Sequence, residues 1–121
     1  MSKRILVVED MEDNRRILRD LLTSAGFELI EAVDGEKGVA MAAQHHPDLI
    51  LMDIQLPIVD GYEATRRIKA NPELRNIPII AVTSYALSGD EAKTAAAGCD
   101  GYVAKPYSPR QILSKIREFL T

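Results

Sequence analysis

The sequence alternates five short apolar strand patterns with helix patterns, and this alternation limits the folds open to it. The predicted strands are Arg4–Val8, Glu28–Val33, Asp48–Met52, Pro78–Val82 and Gly101–Ala104. Strands that are separated by helices pair in parallel through right-handed crossovers, and the helices then cover both faces of the sheet. The sequence therefore predicts a layered α/β fold around a buried parallel sheet.

The connections between the patterns are short, which favours one particular strand order. Five such units suit a flavodoxin-like, doubly wound (βα)5 fold, a five-stranded parallel sheet with the strand order 2-1-3-4-5. In that order the first and third strands are neighbours at the point where the winding reverses. Ligand sites of such folds lie outside the carboxyl ends of these strands.

Chemically active side chains follow four of the five predicted strands. They are Glu9, Asp10, Asp53, Thr83 and Lys105. Because parallel strands end at the same edge of a sheet, we expect one rim to gather three carboxylates, a hydroxyl and an ammonium group. Two carboxylates ~5 Å apart repel by about 3 kcal/mol at an effective dielectric near 20. Lysine or a raised carboxyl pKa offsets part of this, and a divalent cation with oxygen ligands, such as magnesium, offsets it best.

This combination of groups suits phosphoryl transfer. A bound cation and Lys105 would balance charge on the phosphoryl oxygens, and the hydroxyl of Thr83 would donate to another oxygen. Asp53 is the candidate nucleophile, because it stands alone among apolar residues and precedes a loop. Glu9 and Asp10 are adjacent and better placed to hold the cation.

Length and charge exclude several classes of protein. The 121 residues predict a single domain, 1–121, and the net charge of −3 gives no electrostatic case for binding nucleic acid or an anionic membrane. No apolar stretch is long enough to span a bilayer, and no signal peptide is evident. The single cysteine, Cys99, cannot form an internal disulfide. These features favour the cytoplasm.

Four groups of residues together resemble the receiver domain of two-component response regulators, and the resemblance covers essentially the full length. They are Val7–Asp10, Leu51–Pro57 with Asp60-Gly61, Ala81–Ser84 and Tyr102–Pro106. The resemblance implies a Mg-dependent transfer of a phosphoryl group to Asp53 from a histidine of a kinase or phosphotransfer protein. It also implies Mg²⁺ ligands on Glu9, Asp10, Asp53 and the backbone carbonyl of Gln55, with Mn²⁺ as a substitute ion.

The same resemblance implies how the signal is passed on. Thr83 and Tyr102 would form the switch pair, and the Lys105-Pro106 bond would be cis. The phosphorylated form would bind a downstream protein through the face formed by the fourth helix, the fifth strand and the fifth helix. No output domain follows, so the chain is similar to stand-alone receivers, and its MDIQLP segment resembles that of DivK-type cell-cycle regulators. Such a protein is a monomer or weak dimer, and not an enzyme beyond self-catalysed phosphotransfer and autodephosphorylation.

Glu9 is a departure from the resemblance, because many receivers have aspartate there. The longer side chain changes whether the metal is held directly or through water.

The intact set of polar residues argues against a receiver-like module without phosphorylation. A haloacid-dehalogenase-like phosphatase needs a second aspartate two residues after its nucleophile, and Gln55 stands at that place. No glycine-rich turn follows the first strand, which argues against a nucleotide-binding flavodoxin-like protein.

Two surface features remain open from the sequence. Arg15, Arg16 and Arg19 share a face of the first helix, which is either a solvated surface or a docking surface for an acidic partner. The fourth helix offers only alanines as inward residues, namely Ala92, Ala95 and Ala96. Because alanine buries little apolar surface, we expect this helix to be held loosely and to form a moving output face with Tyr85 and Tyr102.

Overall fold

The computed structural model describes residues 2–84 and 90–120, and in these residues five strands alternate with five helices. The strands are β1 (Arg4–Val8), β2 (Glu28–Ala32), β3 (Leu49–Asp53), β4 (Ile79–Thr83) and β5 (Gly101–Ala104). The helices are α1 (Glu12–Ser24), α2 (Gly35–His45), α3 (Gly61–Ala70), α4 (Asp90–Ala97) and α5 (Pro109–Leu120). All neighbouring strands are parallel in the order β2-β1-β3-β4-β5, which confirms the predicted topology.

Strands β3 and β4 begin and end one residue later than predicted, and β2 ends one residue earlier. Asp53 still pairs with Val82, so the aspartate is the last residue of β3 rather than the first residue after it. Pro78 has no N–H to give to the ladder; its carbonyl accepts a hydrogen bond from the Ile50 N–H at 2.9 Å, and β4 begins after it. The shift places Asp53 and Thr83 on the rigid ends of strands.

The sheet separates two apolar cores, because successive side chains of a strand point to opposite faces. Leu6 and Val8 of β1 face a core that α2 and α3 cover. Ile5 and Val7 face a second core, to which α1 and α5 contribute buried leucines and isoleucines. They are Leu18, Leu22, Ile112 and Ile116. Among the described helices, none has both the length and the hydrophobicity that a bilayer crossing requires.

The sequence predicts helix starts at Asp60 and Ser108 and helix ends at Gly26 and Gly98, and the structure has helix boundaries at all four. The carboxylate of Asp60 accepts a hydrogen bond from the Glu63 N–H at 2.8 Å. Ser108 and Gln111 exchange two backbone-to-side-chain hydrogen bonds of 2.7 and 3.1 Å, the geometry of a capping box. Gly26 and Gly98 adopt positive φ angles of 94° and 108° where α1 and α4 end. The segment Ser88-Gly89-Asp90-Glu91 also predicts a helix cap, but Ser88 and Gly89 lie outside the described residues. Tyr85, for which a place in the moving output face is predicted, lies outside them as well.

The spacing of Ile17, Leu18, Leu21 and Leu22 predicts one apolar stripe on α1, and the buried stripe is narrower than that. Leu18 and Leu22 are buried, whereas Ile17 is 59% exposed. Neighbouring residues are turned by about 100° around a helix axis, so Ile17 points away from the core that Leu18 enters. The stripe therefore leaves one large apolar side chain on the surface of the helix.

The inward residues predicted for α4 are wrong. Ala92, Ala95 and Ala96 are exposed, and from Glu91 to Ala97 the buried side chains are Thr94 and Ala97. The hydroxyl of Thr94 donates to the Glu91 carbonyl at 2.8 Å, which satisfies a polar group that hydrophobicity alone would have placed outside. The helix thus buries even less apolar surface than three alanines would.

Gly61 allows helix α3 to begin directly against the end of β3. A Cβ atom at this position would lie 2.3 Å from the carbonyl oxygen of Asp53 and 2.6 Å from the Cα of Ile54. Both are backbone atoms, so neither can move aside as a flexible side chain would. The close approach fixes the backbone that carries the Asp53 side chain.

We expect Gly61→Ala to destabilise the protein by about 1–3 kcal/mol, the usual cost of overpacking. Helix propensity alone would predict the opposite sign, because alanine exceeds glycine by about 1 kcal/mol inside a helix. Urea unfolding of the two proteins, followed by circular dichroism, measures the difference. An equal or higher midpoint for the alanine variant would show that this contact does not constrain the chain.

Candidate functional site

The register of the sheet brings Glu9 and Asp53 side by side. Val8 of β1 pairs with Met52 of β3, so the next residue on each strand also lies opposite its neighbour. The hydrogen-bond ladder between β1 and β2 extends to Glu9, whose N–H donates to the Ala32 carbonyl at 3.0 Å. Both residues are 4% exposed, whereas Asp10 lies on the surface of the same rim. The predicted gathering of these three acids at the carboxyl edge is therefore present.

The three carboxylates form a cluster small enough for one metal ion. One oxygen from each of Glu9, Asp10 and Asp53 lies within 4.8 Å of the others. Hard oxygen donors in a partly open cluster fit Mg²⁺, which uses one or two carboxylates and retains several waters. Gln55 lies at the start of the loop after β3, and its N–H donates to Oδ1 of Asp53 at 3.0 Å.

Lys105 crosses the rim and contacts two of the acids. Its Nζ lies 3.0 Å from Oδ2 of Asp53 and 3.2 Å from Oε1 of Glu9. Burial acts to lower the pKa of Lys105, but the hydrogen bond and charge of Asp53, followed by the charge of Glu9, outweigh it and raise that pKa. The group therefore stays an ammonium ion. The Lys105-Pro106 peptide bond that follows is cis, as expected.

The pKa of Asp10 reflects the closeness of the other acids. Loss of hydration, then a hydrogen bond with Glu9 and the negative charge of Glu9, raise the pKa of Asp10 above its usual value. The raised pKa means that ionised Asp10 is less favourable in the folded protein than in the unfolded chain. In the absence of a cation, this carboxylate lowers the stability of the fold at neutral pH.

Thr83 is connected to the rim through the side chain of Gln55. The Gln55 Nε2 donates to the Thr83 hydroxyl at 3.3 Å, and Ser84 donates to the Gln55 Oε1 at 3.2 Å. The resemblance to receiver domains implies a role for Gln55 only through its backbone carbonyl. Its amide can accept and donate at once, which is the chemical signal that could have suggested a bridge between the two hydroxyls.

Two residues of α1 hold Glu9 in place and were missed in the sequence analysis. Asn14 donates from Nδ2 to Oε1 of Glu9 at 3.2 Å, and Arg15 donates to the Glu9 carbonyl oxygen at 2.9 Å. The N–H of Met11 also donates to Oε2 of Glu9, at 3.1 Å. The rim is thus fixed to the first turn of α1 by contacts that depend on helix phase.

The arginines of α1 are paired with acids of the same chain. Arg15 contacts Glu12 and lies 3.4 Å from Glu31, and Arg19 binds Glu31 through bonds of 2.7 and 2.8 Å. The hydrogen bonds from Arg19 lower the pKa of Glu31. Arg16 pairs with Asp13 at 3.3 Å on the exposed side. The described contacts favour a self-neutralised face over a docking surface for an acidic partner.

Tyr102 lies on the fifth strand of the sheet, between helices α4 and α5. It sits opposite Ala81 of β4 and is half-buried. Two open grooves of about 550 and 250 Å³ border it, one toward α5 and one toward α4. The structure therefore places Tyr102 on the face between the two helices.

Comparison with known sequences identifies relatives over the whole chain. The profile of the family described as the response regulator receiver domain matches residues 5–117. A polar-differentiation response regulator, DivK, of Brucella ovis is 45% identical over 120 residues, which are 99% of this chain and 98% of that protein.

Two solved structures show how closely the fold is shared. The receiver domain of a sensor histidine kinase from Pseudomonas aeruginosa PAO1, which has a magnesium ion coordinated in its active-site cleft, is 37% identical with a TM-score of 0.93. The alignment covers 99% of this chain and 98% of that domain. The chemotaxis protein CheY4 of Vibrio cholerae, at 24% identity, has a TM-score of 0.92 over 98% of this chain and 99% of that one, a likeness of fold alone.

We expect Asp10→Asn to raise the melting temperature in the presence of a chelator at neutral pH. Relief of repulsion at an exposed site amounts to about 0.5–1 kcal/mol, or roughly 2–6 °C for a domain of this size. The pKa of Asp10 is raised in the folded protein, so ionised Asp10 lowers the stability of the fold by its full amount above that pKa. This loss of stability disappears as the pH falls below the pKa that Asp10 has in the unfolded chain. The advantage of the variant should therefore shrink on acidification, and Mg²⁺ should stabilise it less than the wild type.

The exposed Asp20→Asn on the same helix serves as the control, and thermal melts with and without MgCl₂ provide the measurement. A lower melting temperature for Asp10→Asn in chelator would contradict the idea of a strained acidic cluster.

Proposed function

Because the chain belongs to the response regulator receiver domain family, we propose that it is a phosphorylation-switched signalling protein whose phosphoacceptor is Asp53. The donor is a histidine of a kinase or phosphotransfer protein. A P–O bond forms to the carboxylate while the P–N bond breaks, and the released imidazole takes up a proton. The observation that carries this proposal is the buried Asp53 carboxylate at an open rim, with Lys105 3.0 Å away.

The residues of the rim orient the acceptor before any donor arrives. Oδ1 of Asp53 accepts from the Gln55 N–H and Oδ2 accepts from Lys105, so the carboxylate is held in one orientation. Such preorganisation lowers the entropic cost of reaching a productive geometry. Lys105 keeps its positive charge and can follow the negative charge as it moves onto the phosphoryl oxygens.

The proposed metal ligands are Glu9, Asp10, Asp53 and the backbone carbonyl of Gln55, for Mg²⁺ or Mn²⁺. When bound, a divalent ion neutralises charge on the phosphoryl oxygens. The tight carboxylate cluster supports this assignment. The magnesium ion in the related receiver domain from Pseudomonas aeruginosa supports it independently, since that domain is 37% identical to this chain.

A groove beside the acceptor suits the incoming donor. It has a volume of about 510 Å³ and runs from α1 to the segment after β5. Its lining residues are Asn14, Ile17, Ser84, Lys105, Pro106 and Tyr107. Ile17 is exposed, and the charges of the nearby arginines are internally paired, so apolar contact is the main attraction this surface offers. A helix that carries the phosphohistidine fits these properties.

Thr83 and Tyr102 are the proposed switch pair. The Thr83 hydroxyl would turn from Gln55 toward the phosphoryl group, and the Tyr102 ring would move inward between α4 and α5. The downstream protein would bind the α4-β5-α5 face, which carries the two grooves beside Tyr102. The signal is then a shift between two populations of one fold.

We further propose that the chain acts in the cytoplasm as a stand-alone receiver, as a monomer or weak dimer. The match to 98% of the length of DivK supports the single receiver domain in this proposal. In this proposal the protein is not a turnover enzyme, because the aspartate that it modifies is its own. Its only chemistry is self-catalysed phosphotransfer and autodephosphorylation.

Incubation with acetyl phosphate and MgCl₂, followed by intact mass measurement, tests the acceptor. We expect the wild type to gain one phosphoryl group, Asp53→Ala to gain none, and a chelator to abolish the gain. The exposed Asp20→Ala is the matched control and should react as the wild type does. No added mass on the wild type with magnesium present would favour a receiver-like interaction module without phosphorylation.

Hydrogen exchange tests the moving face. Helix α4 buries Thr94 and Ala97, whereas α1 buries Leu18 and Leu22, so the amides of α4 should exchange faster than those of α1. Beryllium fluoride with Mg²⁺, a stable phosphoryl analogue, should slow exchange in α4 and leave α1 nearly unchanged. Equal protection of the two helices in both states would exclude a switch that moves α4.

A further inference from the structure

We propose that Asn14 is a positioning residue that keeps Glu9 from binding the cation through both carboxylate oxygens and thereby makes the rim favour Mg²⁺ over the larger Ca²⁺. The inference rests on the proposed function, because it concerns the cation that the acceptor site would hold. It assigns to Asn14 a role in ion selection through contacts that the Glu9 carboxylate makes within the protein.

The hydrogen bonds to Glu9 occupy most of its acceptor capacity. Oε1 accepts from Asn14 at 3.2 Å and from Lys105 at 3.2 Å, and Oε2 accepts from the Met11 N–H at 3.1 Å. Each carboxylate oxygen has about two lone-pair sites, so Oε1 is filled and Oε2 has one site left. While Asn14 donates, Glu9 supplies negative charge to the rim but cannot bind an ion through both oxygens.

The position of Asn14 on α1 explains why it reaches this carboxylate. It is the third residue of the helix, and the side chain of the N-cap residue Met11 makes no capping hydrogen bond. Glu9 takes the place of a cap by accepting the Met11 N–H, near the positive end of the helix dipole. Arg15 fixes the Glu9 backbone by its hydrogen bond to the carbonyl, so the side chain and main chain of Glu9 are both tied to α1.

The number of carboxylate oxygens that bind directly distinguishes the two cations. Mg²⁺ requires near-octahedral geometry and is usually bound through few carboxylate oxygens with several waters. Ca²⁺ takes six to eight oxygens at longer distances and accepts a bidentate glutamate. A restrained Glu9 offers the cation at most one oxygen, the arrangement that suits Mg²⁺. A released Glu9 can offer both oxygens, the arrangement that suits Ca²⁺.

Loss of the Asn14 amide should therefore change the ratio of two affinities and not only their size. If the Asn14 contact merely stabilised the fold, its loss would lower the affinities for both ions in the same proportion. Orientation of ligands by outer hydrogen bonds typically alters metal affinity by about 10–100-fold on mutation. We take the lower end of this range, because Lys105 and Met11 still hold Glu9 in the variant.

Titration calorimetry of chelator-treated protein with MgCl₂ and with CaCl₂ tests the proposal. The ratio of the Ca²⁺ dissociation constant to the Mg²⁺ dissociation constant should fall roughly tenfold in Asn14→Ala. Gln44→Ala removes an exposed amide from helix α2 and should leave the ratio as in the wild type. An unchanged ratio in folded Asn14→Ala would overturn the inference. If circular dichroism shows that Asn14→Ala does not fold, Asn14→Ser takes its place, and the same tenfold fall of the ratio is expected.

A second background tests whether Asn14 acts through Glu9. Glu9→Asp shortens the side chain by one methylene and moves the carboxylate away from Asn14, so adding Asn14→Ala there should change the ratio less than about twofold. A tenfold change in that background would mean that Asn14 acts by another route, and the inference fails. If the wild type binds no Mg²⁺ at all, the proposed metal site fails instead, which separates the two hypotheses.

Discussion

The position of Lys105 between Asp53 and Glu9 is the interaction on which the rest of the site depends. The sheet register forces two nearly buried carboxylates into one row, and Asp10 adds a third within 4.8 Å. At an effective dielectric near 20, a pair of charges at such a distance interacts by about 3 kcal/mol, and a contact near 3 Å by about 5 kcal/mol. One ammonium with two short contacts can therefore offset most of the repulsion among three acids. It still leaves the rim with excess negative charge, which a cation can use.

The location of the three acids, Thr83 and Lys105 at one rim could be predicted from the sequence, because it follows from the topology of the sheet alone. Parallel strands end at a common edge, so residues at strand ends meet whatever their side-chain conformations are. The bounds predicted for β3 and β4 were wrong by one residue. This error did not matter, because Asp53 and Thr83 still lie at the carboxyl ends of their strands, at the same edge of the sheet. The residues that tune the site could not be found in this way. Asn14 reaches Glu9 only because of the phase of α1, and Gln55 reaches Thr83 only through its rotamer.

The inward face of helix α4 was mispredicted for a related reason. In a run of alanines, hydrophobicity does not indicate which residues face the sheet, and the buried Thr94 satisfies its hydroxyl on its own helix. The same mistake of phase placed Ile17 in the core, where Leu18 and Leu22 already fill the space. Periodicity identifies a helix well when large apolar residues alternate with charged ones. It identifies a face poorly when the candidates are small or adjacent.

The two sides of the rim differ in rigidity, and this difference is consistent with a switch. On the α1 side, Asn14 and Arg15 tie Glu9 to a helix that buries two leucines and is paired with β2 through Glu31. On the α4 side, Thr83 accepts a hydrogen bond from the flexible side-chain amide of Gln55, and the buried residues among the described side chains of α4 are a threonine and an alanine. A change of charge at Asp53 would meet fixed groups on one side and movable groups on the other. The response would therefore travel toward α4 and Tyr102, because that is where the fewest buried contacts must be broken.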